Sequence, residues 1–182
     1  MTKLLGQFGV VAAVAFLGTL NYAAWKVAPA PSEPALDAEN LVEALAPSAI
    51  AALGMVALCY VFLFIQSSSI WGGFERAKAD AARENKPRPK LYDLKYGLTK
   101  YTRRADRTVA NMLEQMPCAL VSTTLYALFV NAELGARLGW VWILFRSIYP
   151  VVYGRGALLF CSTLPGYAIV CFCAIGVTLQ VI

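Results

Sequence analysis

The sequence predicts an all-α integral membrane protein with five membrane-spanning helices. Three observations carry this. The chain of 182 residues is 59% hydrophobic, with a mean hydropathy of +0.58, whereas a soluble domain is about 45–50% apolar. The excess is gathered into long runs, as spans require and a globular core does not. The cations are gathered too: 11 of the 16 Lys and Arg fall in residues 71–108, a bias that marks a connection kept on the inner side of a membrane.

The five apolar runs are residues 4–24, 46–65, 109–130, 138–152 and 157–182. The first follows a single Lys3 and resembles a signal anchor. It is longer than a signal core, and Asn21 and Trp25 do not form a small-residue cleavage site, so it is expected to be a true span over residues 1–28. Pro29, Pro31 and Pro34 then give an extended linker, and residues 37–45 a short amphipathic helix running into the second span, together residues 29–45. The remaining four spans form a membrane domain over residues 46–182, with a basic inner loop at 71–106. Within that loop Gly72-Gly73 is expected to interrupt the chain. Residues 74–85 then make a separate helix at the inner surface, stopped by Pro87 and Pro89. Residues 91–101 mix aromatics and lysines like an interfacial segment. Residues 131–137 read as a short outer turn. The last span follows Gly154-Arg155-Gly156 or starts nearer Pro165-Gly166.

Charge sets the orientation. Residues 26–45 hold one Lys and four acids, Glu33, Asp37, Glu39 and Glu43. The positive-inside rule puts residues 71–106, the N-terminus and the Arg155 turn on the cytosolic-equivalent side. Localisation is expected in an endoplasmic-reticulum or other organellar membrane. The basic loop also carries five acids, so bilayer topology and anionic headgroups account for its charge better than nucleic acid does. The chain has no histidine, which excludes His-based general-base catalysis, His-ligated haem and His-ligated zinc or copper. No carboxylate cluster suggests another metal. The five cysteines lie in apolar runs without a CxxC pair and read as small buried hydrophobes.

Two polar stripes interrupt this apolar pattern. Arg107, Asn111 and Glu114, at i, i+4 and i+7, share a face at the inner end of the third span. Arg146, Tyr149 and Tyr153, at i, i+3 and i+7, end the fourth span at the same level. Polar groups inside a span must be paired or functional. The first stripe suits either a network locking helices together or a site for an anionic polar ligand. The tyrosines suit interfacial anchoring or ligand contact. Arg146 suits snorkelling to the inner headgroups or ligand contact, and Arg103 and Arg104 a span boundary.

The run Arg104-x-x-Arg107-x-x-x-Asn111-x-x-Glu114-x-x-Pro117 resembles the second-helix signature of the MAPEG family (membrane-associated proteins in eicosanoid and glutathione metabolism). Arg146-x-x-Tyr149-x-x-x-Tyr153 resembles its third-helix pattern, and Pro165-Gly166-Tyr167 the start of its fourth helix. The resemblance covers about residues 46–182. It implies a four-helix transmembrane bundle, here with an extra N-terminal transmembrane helix, assembled as a homotrimer. It also implies glutathione as cofactor between subunits, with Arg104, Arg107, Asn111, Glu114, Arg146, Tyr149 and Tyr153 as ligand-binding residues. The implied activity is glutathione transfer or peroxide reduction on lipophilic substrates. Catalytic members carry an Arg before the Pro-Gly step that activates the thiol. This chain has Cys161-Ser162-Thr163 there, as non-catalytic members do, which leaves Arg155 as the candidate catalytic cation. The alternative is a non-catalytic lipid-binding or structural accessory subunit of a larger membrane complex.

Overall fold

The structure, a computed structural model, describes residues 38–96, 100 and 102–182. The expected N-terminal span and the proline linker lie outside the described residues. Among the described residues all regular structure is helical. The elements are α1 Ala38–Arg83, α2 Leu91–Tyr96, α3 Arg103–Phe129, α4 Ala132–Ser147, α5 Tyr149–Val152, a 3-10 turn Gly156–Leu159, and α6 Phe160–Val181.

The first helix corrects the sequence reading. The inner surface helix, expected to be separate, continues the second span and the amphipathic helix that runs into it, all in one helix of 46 residues, roughly 70 Å long. Gly72-Gly73 does not break it. A glycine costs only about 1 kcal/mol against alanine in a helix, and Glu75, Arg76, Ala77 and Lys78 beyond are good formers. Gly73 and Ala77 are also buried, so the extension has packing of its own. Pro47 leaves the Glu43 carbonyl without its helical donor, but Glu43 is exposed and water can take that place. The helix closes where Asn85 takes φ 51° and the Lys86 N–H donates to the Ala81 carbonyl at 2.9 Å. This is a left-handed cap.

The outer turn is tighter than the expected residues 131–137. The N–H groups of Val130 and Asn131 both donate to the Tyr126 carbonyl. The Asn131 side chain then accepts from the Leu134 N–H at 2.8 Å, capping α4 at once. The fourth expected span is also divided. α4 ends at Ser147, and Pro150 falls in the first turn of the four-residue α5. The last helix follows the Gly154–Gly156 turn and continues through Pro165.

The four long helices pack together: α1 on α3 and α4, α3 on α4 and α6, and α4 on α6. The core between them holds Met55, Phe62, Met112, Tyr126, Trp142 and Cys173. Small residues set the closest approaches. A Cβ on Gly135 would lie 2.8 Å from the Ala127 Cβ, and one on Gly176 2.5 Å from a Tyr126 ring carbon. The outward faces are apolar, with Leu53, Phe64, Val121, Leu144 and Leu179 all more than half exposed. Of the five cysteines only Cys59 and Cys173 are buried; Cys118, Cys161 and Cys171 are exposed, which corrects the reading of all five as buried.

Among the described residues, two helices are able to cross a membrane by length and composition: the apolar part of α1, and the last helix with its preceding turn. α4, with 16 residues, is about 24 Å long, short of a typical hydrocarbon core of about 30 Å. α3 is long enough, but Glu114, Gln115, Ser122 and Thr123 interrupt its apolar residues.

Candidate functional site

The two polar stripes meet, but they do not meet as equals. Arg146 is 1% exposed, so it does not snorkel to the headgroups. Its guanidinium donates through Nη1 to the Asn111 Oδ1 and through Nη2 to the Gln115 Oε1. The Gln115 Nε2 in turn donates to the Tyr167 hydroxyl at 2.8 Å. The faces of the guanidinium look onto rings, Trp142 at 5.2 Å and Tyr149 at 5.7 Å. Two amides in the plane and two rings beside it fix a cation on four sides.

The fold explains the placement. Asn111 and Gln115 are one turn apart on α3 and point at α4. α6 comes close enough because position 166 is glycine. A Cβ there would lie 3.2 Å from the Arg146 Nη2 and 3.3 Å from the Trp142 Nε1. One turn earlier on α6, the buried Ser162 hydroxyl donates to the Phe145 carbonyl at 2.7 Å. Two buried donors, Trp142 Nε1 and Arg146 Nε, have no acceptor among the described residues.

The remaining stripe residues face outward. Arg107 and Glu114 are exposed on α3, and neither makes a hydrogen bond or ion pair among the described residues. Both, with Tyr153, act electrostatically on the Tyr149 hydroxyl. Tyr149 is buried, Tyr153 half-buried, and their ring centroids are 5.8 Å apart. Arg104 is exposed and contributes only its carbonyl, to the Thr108 hydroxyl at 2.8 Å. Arg155 is exposed in the turn before the last helix, and its side chain has no partner among the described residues. The structure therefore joins Asn111, Arg146 and Tyr149 inside, sets Arg107, Glu114 and Tyr153 at the margin, and leaves Arg104 and Arg155 apart.

Gln115, Trp142 and Tyr167 were not legible as site residues. Gln115 stands four residues after Asn111, on the same face, and that spacing was its one signal. Trp142 had none, and Tyr167 stood only in the Pro165-Gly166-Tyr167 motif, as a helix start.

A family model, described as the MAPEG family, matches residues 44–182. The chain belongs to the MAPEG family. It is therefore an integral membrane protein of the family named for eicosanoid and glutathione metabolism. The matched region holds both polar stripes and all four long helices except the first turns of α1. Comparison with curated proteins and with solved structures gave no match. For a MAPEG member the departure before Pro165 is structural as well as chemical: Ser162 is turned inward onto α4, and no cation stands at residues 161–163.

Proposed function

We propose that this MAPEG protein binds glutathione, or a closely similar zwitterionic peptide, at the inner membrane surface. The observation that carries this is the pair Arg107 and Glu114. They are opposite charges, exposed, unpaired among the described residues, and two turns apart on one face of α3. Seven residues of helix separate them by about 10 Å. An unpaired cation and anion at that distance suit a ligand with a carboxylate at one end and an ammonium at the other. Tyr153, half-buried with its ring centroid 5.8 Å from that of Tyr149, offers a hydroxyl donor. The buried Arg146 stands behind Tyr149 as a fixed positive charge.

The residues fit the cofactor. Arg107 would hold a carboxylate, Glu114 the ammonium, and Tyr153 the peptide backbone. When bound, glutathione supplies a nucleophilic thiol, and the activity proposed is its transfer to, or peroxide reduction of, a lipophilic acceptor. The supporting setting is a four-helix transmembrane bundle with an extra N-terminal span, in an endoplasmic-reticulum or organellar membrane. In a homotrimer, the exposed α3 face would be closed by a neighbouring subunit. A second reading, a non-catalytic ligand-holding or accessory subunit, is favoured by one observation: residues 161–163 offer no cation.

Calorimetric titration of the detergent-purified protein with glutathione tests the binding, with Arg107→Ala as control. The ultraviolet absorbance of the bound thiolate, followed against pH, separates the readings. Binding with ionisation of the thiol near neutrality supports the enzyme. Binding without it supports the holder. No saturable binding refutes the ligand site and leaves the accessory subunit.

A further inference from the structure

We infer that the inner half of α1 carries a groove for an anionic glycerophospholipid, separate from the Arg107–Glu114 face. The groove is open along the helix surface and offers about 420 Å³. It is built from two neighbouring rows of one helix. Phe64, Ser68, Gly72 and Arg76 follow at intervals of four, with Ile65 and Ser69 alongside, so all six share a face.

Polarity changes in order along these rows. Phe64, 73% exposed, and Ile65 make an apolar end. Two hydroxyls come next, then a glycine, then a guanidinium. The helix rises about 18 Å from Phe64 to Arg76. Trp71, 61% exposed at the end of the apolar stretch, marks the headgroup level. Phe64 and Ile65 then lie at acyl-chain depth and Ser68 and Ser69 at the level of the glycerol esters. Arg76, roughly 8 Å past Trp71, lies among the phosphates. The sequence of groups matches a phospholipid read from chain to headgroup.

Two further observations support an occupant. A Cβ on Gly72 would meet nothing within 4 Å, so no part of the described chain fills the groove. Three lysines of the basic region are paired, Lys78 with Glu75, Lys86 with Glu84 and Lys100 with Asp80. Arg76 has no ion pair or hydrogen bond among the described residues. An unpaired guanidinium at headgroup depth is complementary to a phosphate, which it binds in a two-pronged manner. The basic excess of residues 71–108 selects a lipid of net negative charge over a zwitterionic one. None of the residues assigned to the peptide ligand lines the groove, so the two sites stand independently.

The test is native mass spectrometry of the full chain in a mild detergent, given dioleoyl phosphatidylglycerol or dioleoyl phosphatidylcholine at equal concentration. Phosphatidylglycerol should be retained more strongly. Arg76→Gln should lower its retention about fivefold, the scale of one basic residue at an anionic surface, and Arg76→Lys, which keeps the charge but loses the two-pronged contact, should fall between the two. Gly72→Leu fills open space and should abolish retention of either lipid. Both positions are exposed, and unchanged helix content by circular dichroism checks that the variants fold. Equal retention of the two lipids overturns the inference, as does retention indifferent to Gly72→Leu. A multiple-chain mass that Gly72→Leu disperses, with no lipid bound, would assign the groove to a second copy and overturn it equally.

Discussion

Replacing Gln115 by leucine should destabilise the protein far more than the loss of one amide suggests. Gln115 is 8% exposed and accepts from Arg146, which is 1% exposed. A hydrogen bond to a charged group contributes about 1.5–3 kcal/mol. Interhelical bonds between neutral groups in a membrane average about 0.6 kcal/mol. Leucine is close in volume, so the cavity contribution is small. Losing the acceptor also leaves a second buried nitrogen of Arg146 unpaired, beside the Nε that already has no acceptor among the described residues. Gln115→Leu should therefore cost about 3 kcal/mol, a fall in melting temperature of about 6–12 °C for a chain of this size. Tyr167→Phe removes only the neutral end of the same chain of bonds, at a ring 46% exposed, and should cost about 0.6 kcal/mol. Arg146→Met removes the buried charge itself. Combined with Gln115→Leu it should cost less than the two single changes added, by about 1 kcal/mol or more. Equilibrium unfolding in mixed micelles, read by circular dichroism, measures all four. The reasoning fails if Gln115→Leu and Tyr167→Phe cost the same, or if the double variant is additive.

Gly176→Ala should destabilise by about 1–3 kcal/mol through overpacking, because its Cβ would lie 2.5 Å from the Tyr126 ring; the same unfolding assay checks it. Asn131→Ala removes the side-chain cap on the Leu134 N–H and should cost about 1 kcal/mol, with hydrogen exchange rising first at the start of α4. Arg107→Ala and Glu114→Gln should each weaken glutathione binding at least tenfold by calorimetry, the loss of about 1.4 kcal/mol or more in a charge-assisted contact. Arg155→Ala, at an exposed side chain away from the stripes, should leave that binding within about twofold, a difference of less than about 0.5 kcal/mol.

What the sequence by itself determined is what local composition controls. Apolar runs give a helical membrane protein, and the cations gather in residues 71–108. The order and spacing of Arg107, Asn111, Glu114, Arg146, Tyr149 and Tyr153 give the family that the matched residues 44–182 bear out. Prolines and glycines were a poorer guide. Gly72-Gly73 and Pro47 lie inside a helix, because a cost of about 1 kcal/mol per glycine falls on a long helix that packs on both α3 and α4, and the carbonyl that Pro47 leaves without a donor belongs to an exposed residue. Only the tertiary structure decided what the stripe residues do. Periodicity places Arg107, Asn111 and Glu114 on one face, but a stripe as wide as seven residues spans both an inward and an outward edge. Which edge turns inward depends on where α4 and α6 press against α3. That in turn depends on close contacts at Gly135, Gly166 and Gly176, tens of residues away in the chain. So Asn111 joins Arg146 inside while Arg107 and Glu114 stay outside. Gln115 and Tyr167 are bonded partners 52 residues apart, a pairing no local pattern encodes, because it exists only once the helices have packed.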